Sequence, residues 1–268
     1  YVPLVHSFIL SKKKGRECWA KPIIEVNSVH FEVTQGTPPK GQDGTVVRTG
    51  ATCIISGEPI PFTYIRAEGK AKRMSTMLMA IVTEGTKGRG YYTPDVQHAN
   101  TATSASGGWY PNFDISHWPG RTNVVEYGMT QFGDLFTPRQ LEALATFSDL
   151  VAEAREKIRK DAIAHGMAAE GPSLEAGGLG ASAYAEAASV YLALAVSKVA
   201  DAQTTLCRWK PSMDQSIATF GRQALPMVWD FSEANALGGM AGDFLVSLSN
   251  MMRVLERLGT QFPGAVVQ

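Results

Sequence analysis

The spacing of apolar residues changes along the chain, and this change limits the folds that the sequence can adopt. In the front third, Val29 to Val33 alternates apolar and polar side chains, as a half-buried strand does. In the rear half, apolar residues recur at helical spacing from Leu141 to Ala162. The sequence therefore predicts an α+β fold, with a β-rich, ribbon-like N-terminal part followed by an α-helical bundle.

The front part contains the pattern of a β-hairpin near its start. Two segments rich in β-branched and aromatic residues, "VPLVHSFIL" and "CWAKPIIEV", flank the polar turn "SKKKGR", Ser11 to Arg16. This arrangement is typical of two strands joined by a five- or six-residue loop. Further along, we expect a helix around Ala67 to Met79, a strand in "LMAIV" and a turn in "EGTKGRG".

Four helices are predicted in the rear part. The first has Thr137 as N-cap, Pro138 at its first position, Gln140 placed for a capping box and Gly166 as its end. The second, Ala183 to Thr205, is apolar on almost every side, which predicts a central, buried helix. The others run from about Asp214 to Gln223 and from about Gly242 to Leu258.

Composition suggests where these parts separate. Residues 93–122 are poor in aliphatic side chains and rich in Ser, Thr, Asn, Gly and Pro, which predicts a connector between a basic β-rich part, 1–92, and a helical part, 123–268. Four aromatic residues within the connector indicate that it packs along a surface: Trp109, Tyr110, Phe113 and Trp118.

The net charge of zero conceals an uneven distribution. Residues 1–92 carry 13 Lys and Arg against 7 Asp and Glu, whereas residues 93–268 carry 12 against 18. A basic front part suits a surface that faces a polyanion, and it equally suits an ordinary solvated face.

No apolar run reaches the roughly 18–20 residues of a membrane span, so no membrane partner is expected. Three scattered cysteines favour a reducing, cytoplasmic setting.

Two basic stretches are candidates for DNA binding. The first comprises Lys12, Lys13, Lys14 and Arg16, and the second comprises Arg208, Trp209, Lys210 and Arg222. In the second, an indole between two cations suits phosphate contact and base stacking. The alternative is structural, with Trp209 and Trp229 anchoring the packing and Asp230 paired with an arginine. The five histidines lie far apart in sequence and form no local metal pair, so they are interpreted as surface or core residues.

Several segments resemble successive blocks of one bacterial family, the adenine-specific DNA methylases that contain a zinc ribbon, some of which are associated with anti-phage defence. The blocks follow in order from about residue 2 to the end of the chain: "SFILSKKKGRECWAKPII", "RTGATCIISGEPIPFTYIRAEGKAKRM", "YGMTQFGDLFTPRQLEALATFSDLV", "ASAYAEAASVYLALAVSKVAD", "TLCRWKP" and "TFGRQALPMVWDFSEAN".

The resemblance implies a DNA adenine N6-methyltransferase that uses S-adenosylmethionine. In the family, a Gly-rich cofactor motif precedes the region that matches this chain, and an Asp-Pro-Pro-Tyr motif follows it. The only Pro-Pro here is Pro38-Pro39, with no Asp before it and no Tyr after it. No catalytic or cofactor-binding residue is therefore assigned, and S-adenosylmethionine is not expected to bind these residues alone.

The chain is accordingly interpreted as a central DNA-engaging or scaffolding segment, with DNA and the methyltransferase core of the same polypeptide as its partners. The alternative is a non-catalytic module that binds nucleic acid or protein, so whether the chain belongs to an enzyme stays open. An Asp-Pro-Pro-Tyr motif soon after "PGAVVQ" would indicate the enzyme.

The stretch "TGATCIISGEPIPF" places Cys53 in a Cys-x-x-Ser-Gly setting, where a zinc knuckle has Cys-x-x-Cys-Gly. In the family, a cysteine pair ahead of the position of Tyr1 joins a second pair at Cys53 and residue 56. Ser56 is a poor zinc ligand because its hydroxyl resists deprotonation. Cys53 is therefore interpreted as a degenerate zinc-ligand position, a small buried residue at a turn formed by Gly57, and zinc is not expected.

Overall fold

The structure is a computed structural model that describes residues 1–26, 28–86 and 88–258. It confirms the mixed α+β class, with small antiparallel sheets in the N-terminal part and helices in the C-terminal part. Contacts divide the chain into two compact units. Unit 1 comprises Tyr1–Leu141 and Thr204–Glu233, and unit 2 comprises Glu142–Gln203 and, within the described residues, 234–258. The division at residues 92 and 122 stays a prediction.

A three-stranded antiparallel sheet forms the start of unit 1. Its strands lie in the order β1 (Ile9–Ser11), β2 (Cys18–Ile24) and β3 (Val29–Gln35). The predicted hairpin is thus confirmed, with residues 12–17 as its loop and a register shift between Ile9 and Ser11. Apolar side chains of this region form a buried cluster: Val5, Phe8, Leu10, Cys18, Trp19, Ala20 and Phe31.

The other strands of unit 1 are short and also pair antiparallel. They are β4 (Val46–Val47), β5 (Gly50–Thr52), β6 (Pro59–Pro61), β7 (Ile81–Thr83), β8 (Gly90–Tyr92), β9 (Arg208–Lys210) and β10 (Gln215–Ile217). They form three separate sheets, β4-β5-β6, β7-β8 and β9-β10. Such short strands are held by side chains packed around them, since two-stranded sheets are marginal alone.

The helices are α1 (Phe62–Lys70), α2 (Val96–Thr103), α3 (Pro138–Ala164), α4 (Ala181–Asp201) and α5 (Phe244–Arg257), with short 3-10 helices at Asn123–Tyr127 and Phe132–Leu135. The predicted start of α3 is confirmed, because the Thr137 amide donates to Gln140 Oε1 at 2.8 Å and the Gln140 amide donates to Thr137 Oγ1 at 3.3 Å. Gly166, at φ +92°, follows the end of this helix. The last predicted helix is confirmed as α5.

Two predicted helices were wrong in position or type. The helix expected over Ala67 to Met79 instead runs over Phe62–Lys70. It ends there because Lys72 adopts φ +55° and the chain then leaves the helical path. The helix expected over Asp214 to Gln223 is instead strand β10 and a loop, because Asp214 at φ +50° turns the chain back onto β9. The connector 93–122 contains α2, which composition did not predict.

The second predicted helix exists as α4, but it is not buried on every side. Small side chains form its buried positions, Ala181, Ala183, Ala185, Ala195 and Val199, and the helix packs against α5 within unit 2. Tyr184, Val190 and Leu194 are exposed. The prediction of a fully buried helix was wrong because a helix with apolar side chains on all its faces need not have every face packed against a neighbour. Within the described ranges, no helix is both long enough and apolar enough to cross a membrane.

Candidate nucleic-acid interface

Two β-hairpins lie against each other in unit 1, and together they are called the hairpin pair: residues 9–24, with β1 and β2, and residues 208–217, with β9 and β10. The Lys12 amide donates to the Pro211 carbonyl at 3.0 Å. The indole Nε1 of Trp209 donates to the Leu10 carbonyl at 2.6 Å, across 199 residues of sequence. The two basic stretches that the sequence singled out separately therefore meet in space.

The hairpin pair presents cations to solvent. Lys12, Lys14, Arg208 and Lys210 are all exposed, and within the part of the chain that the structure describes none of them makes an ion pair. Successive side chains of a strand point to opposite faces, so Arg208 and Lys210 share one face of β9 and Trp209 lies on the other. The result is a cluster of four exposed cations that pair with no carboxylate within the part of the chain that the structure describes.

Lys13 differs from its neighbours because it makes an ion pair, although its own side chain is 47% exposed. Its Nζ lies 2.9 Å from Oδ2 of Asp214, whose side chain is only 1% exposed. A buried carboxylate requires a compensating partner, and Lys13 supplies it. Lys13 therefore joins the loop of one hairpin to the turn of the other, which is a positioning role. Its predicted contact with DNA stays a prediction.

Titratable groups around Asp214 are held in fixed protonation states. Burial acts to raise the pKa of Asp214, but interactions with Lys13, Ser11 and Tyr91 outweigh it and lower that pKa below its usual value. Burial and the Asp214 charge raise the pKa of Cys18 to about 11. Burial and Asp214 also raise the pKa of Tyr91 far above its usual value. At neutral pH Asp214 is thus a carboxylate, whereas the Cys18 thiol and the Tyr91 phenol are neutral, which suits support of the hairpins.

The side chain of Trp209 packs against other residues of unit 1. The Tyr91 ring meets it edge-on at 6.4 Å between centroids, and the Arg89 guanidinium lies 5.5 Å from its centroid. Nη2 of Arg16 donates to the Arg89 carbonyl at 2.5 Å. These contacts favour the structural alternative for Trp209, and its stacking on a base stays a prediction. Sequence reasoning missed Arg89 because "EGTKGRG" reads only as a Gly-rich turn.

Arg222 lies apart from the hairpin contacts, in an exposed loop of unit 1. The prediction that Trp229 anchors the packing and that Asp230 pairs with an arginine is only partly confirmed. Trp229 does pack edge-on against Tyr127, at 5.1 Å between centroids. Asp230, however, has no arginine partner among the described residues. It accepts the Ser7 amide at 2.9 Å, and burial raises its pKa.

Cys53 sits at the turn between β5 and β6. Its amide donates to the Glu58 carbonyl and its carbonyl accepts from the Gly57 amide, both at 2.8 Å, with Gly57 at φ +77°. The predicted turn is confirmed, but the predicted burial was wrong, because the tip of so short a hairpin leaves Cys53 half-exposed. Among the described residues, no group of three or more His, Cys, Asp or Glu side chains is placed to hold a metal ion. The expectation that no zinc binds stays a prediction.

The three thiols are expected to differ in reactivity. Hydrogen bonds from the Ser56 side chain and backbone lower the pKa of Cys53, whereas Cys18 and Cys207 are buried. Because the thiolate is the nucleophile, one rapid phase of one equivalent is expected when a disulfide reagent is added to the native protein at neutral pH. Cys53→Ser should remove that phase and Ser56→Ala should slow it. Rapid reaction that persists in Cys53→Ser would contradict this assignment.

Comparisons with protein-family models, with curated proteins and with solved structures gave no match to this chain. Chemically, the exposed cations of the hairpin pair can contact the phosphates of a polyanion, and such contacts position a protein without reading sequence.

Proposed function

We propose that this chain is the DNA-engaging segment of an S-adenosylmethionine-dependent DNA adenine N6-methyltransferase, whose methyltransferase core lies on the same polypeptide. The observation that carries the DNA-binding part is the exposed cation cluster of the hairpin pair, Lys12, Lys14, Arg208 and Lys210, built from stretches far apart in sequence. The enzymatic context and a role in anti-phage defence are supported by the family resemblance of the sequence blocks.

The chemistry of base methylation explains why such a segment is useful. The exocyclic amine of adenine inside a duplex is out of reach of a cofactor, so the enzyme must extrude the base and hold the distorted DNA. Phosphate contacts supply that hold and set the position of the protein on the duplex. In the proposal, the hairpin pair grips the backbone while the core supplies cofactor and transfer groups. A cytoplasmic location belongs to the proposal and is supported by Cys18, Cys53 and Cys207, which form no disulfide within the described residues.

Charge reversal on one loop tests the proposal. The double variant Lys12→Glu, Lys14→Glu is expected to weaken duplex binding and to reduce the slope of log affinity against log salt by about 2, since each lost phosphate contact removes about 0.9. The measurement is fluorescence anisotropy of a labelled mixed-sequence duplex across a salt series. Neither lysine is in an ion pair within the described residues, so the fold should be retained.

The matched control reverses the same number of positive charges on unit 2. Lys160→Glu with Arg253→Glu reverses two exposed cations that also lack ion pairs within the described ranges. This control should keep the wild-type slope. Equal slopes for wild type, the loop variant and Arg208→Glu with Lys210→Glu would refute the hairpin pair as the DNA contact. A wild-type chain that binds no duplex would instead favour the protein-interaction alternative.

A further inference from the structure

The carboxylate of Asp214 connects the two halves of the exposed cation cluster. Its Oδ2 lies 2.9 Å from Nζ of Lys13, which is the middle one of three consecutive lysines in the first loop. On its own hairpin, Asp214 directly precedes Gln215, and Gln215 pairs with Lys210 across β9 and β10. Asp214 is therefore linked to the first loop by one ion pair and to β9 by the adjoining strand pair.

Asp214 has a fixed position within its turn. Its backbone adopts φ +50°, a conformation that aspartate accepts more readily than most residues. The Met213 amide donates to the Lys210 carbonyl at 3.1 Å, which closes the same turn. Because only 1% of the Asp214 side chain is exposed, it cannot contact a ligand itself and can act on one only through its neighbours.

Lys13 is the point at which the first loop is anchored. Its amide donates to Ser11 Oγ at 3.3 Å, its carbonyl accepts the Arg16 amide at 2.9 Å, and its ammonium pairs with Asp214. The exposed lysines on either side of it continue from this anchored backbone. The ion pair therefore sets where their side chains begin relative to the cations of β9.

The charge of Asp214 by itself opposes the binding of a polyanion. A carboxylate beside a cation cluster weakens the attraction of that cluster for phosphates. Its burial also costs folding free energy, which the pairing with Lys13 has to offset. Charge and position therefore predict effects of opposite sign on DNA affinity when this carboxylate is removed.

We propose that Asp214 is a positioning residue for duplex binding, which holds the first loop through Lys13 so that the four exposed cations contact phosphates together. This inference rests on the proposed function, since it assigns Asp214 a role at the same DNA contact. Cations that are arranged before binding lose less conformational freedom when the duplex binds, and affinity rises accordingly.

Replacing the carboxylate with an amide separates position from charge. Asp214→Asn keeps the side-chain shape, and the Lys13 ammonium, on a side chain that is 47% exposed, can then be solvated, so the fold should be retained. Duplex binding is expected to weaken about tenfold, because the cations are no longer prearranged. The slope of log affinity against log salt should stay at the wild-type value, since all four cations remain. Charge alone predicts tighter binding and, if the freed Lys13 contacts a phosphate, a slope steeper by about 0.9.

The measurement is fluorescence anisotropy of a labelled mixed-sequence duplex across a salt series, with unfolding midpoints recorded for each variant. Lys13→Arg retains a cation for Asp214 and should retain most of the affinity, which distinguishes positioning from general damage to the fold. Lys13→Met combined with Asp214→Asn should bind no more weakly than the weaker of the two single variants, because both break one pair. As the matched control, Glu126→Gln removes a carboxylate that pairs with Arg66 at 2.8 Å elsewhere in unit 1, and it should bind as the wild type does.

The inference is overturned if Asp214→Asn binds the duplex as tightly as the wild type or more tightly, or if the losses of the two single variants add in the double variant. Equal salt slopes for the wild type and the charge-reversed variants of the hairpin pair would reject the proposed function, and the role of Asp214 with it. A reduced slope in those variants, combined with wild-type affinity in Asp214→Asn, would reject the role of Asp214 alone.

Discussion

Replacing Lys13 with methionine is expected to destabilise unit 1 by about 3 kcal/mol at neutral pH, because it leaves the carboxylate of Asp214 buried without its counter-ion. The measurement is urea-induced unfolding. The neighbouring variant Lys14→Met is the control, since Lys14 is exposed and has no ion pair within the described ranges. It should change the free energy of unfolding by less than about 0.5 kcal/mol.

The effect of Lys13→Met should depend on pH in a defined direction. In the wild type, the pKa of Asp214 is lower in the folded chain than in the unfolded chain. Its contribution is therefore full above the unfolded pKa of about 4 and is lost as the pH falls through the folded value. The difference between wild type and variant should accordingly shrink below about pH 4.

A second substitution checks that the lost energy belongs to this pair. Asp214→Asn removes the charge while keeping the side-chain shape, and asparagine tolerates the positive φ of this position. Combined with Lys13→Met, it should recover much of the stability lost in Lys13→Met alone. Equal and additive losses at all pH values would contradict the role assigned to Lys13.

Gly69→Ala is expected to destabilise the protein by about 3 kcal/mol, although glycine-to-alanine changes within helices ordinarily stabilise. Gly69 lies in the last turn of α1, which packs against the 3-10 helix Asn123–Tyr127. An added Cβ would meet the Tyr127 carbonyl oxygen and would stand 2.9 Å from its carbon. The atoms that the added Cβ would meet belong to the backbone, so the clash cannot be relieved by moving a flexible side chain.

Thermal and urea unfolding of Gly69→Ala would measure this effect, with Gly166→Ala as the control. Gly166 has φ +92° and nothing within 4 Å of an added Cβ. That variant therefore carries only backbone strain, about 1 kcal/mol. Stabilisation of the protein by Gly69→Ala would show that α1 and the 3-10 helix are not in close backbone contact.

Sequence patterns predicted elements whose signals are local. The capping box at Thr137 and Gln140, and the polar loop between β1 and β2, depend on residues only a few positions apart. The β9–β10 hairpin was missed because its decisive feature is the backbone of Asp214, at φ +50° and stabilised by a lysine about two hundred residues away. Helical spacing over Asp214 to Gln223 carries no information about that partner.

In the candidate site, too, sequence patterns predicted the local features and missed those that depend on distant residues. Sequence reasoning selected both basic stretches by their charge, but it could not determine that they lie together. Nor could it determine that Lys13 pairs with the buried Asp214 and that Trp209 donates to the Leu10 carbonyl, while Lys12 and Arg208 are exposed and unpaired within the described residues. Orientation depends on tertiary packing, which residue type does not record. Arg89 was missed because it lies in "EGTKGRG", a segment that reads only as a Gly-rich turn, whereas its contact with Trp209 depends on tertiary packing.

The joining of Tyr1–Leu141 with Thr204–Glu233 in one unit has a consequence for biosynthesis. The Leu10 carbonyl receives its hydrogen bond from Trp209, 199 residues later, and the Ser7 amide meets Asp230, 223 residues later. At translation rates of about 5–20 residues per second, the first hairpin waits roughly 10–40 s for its partner to be made. During that interval its strand edges and apolar face lie open to other nascent chains. The first unit to begin synthesis is thus completed only after the segment Glu142–Gln203 of the second unit has been translated.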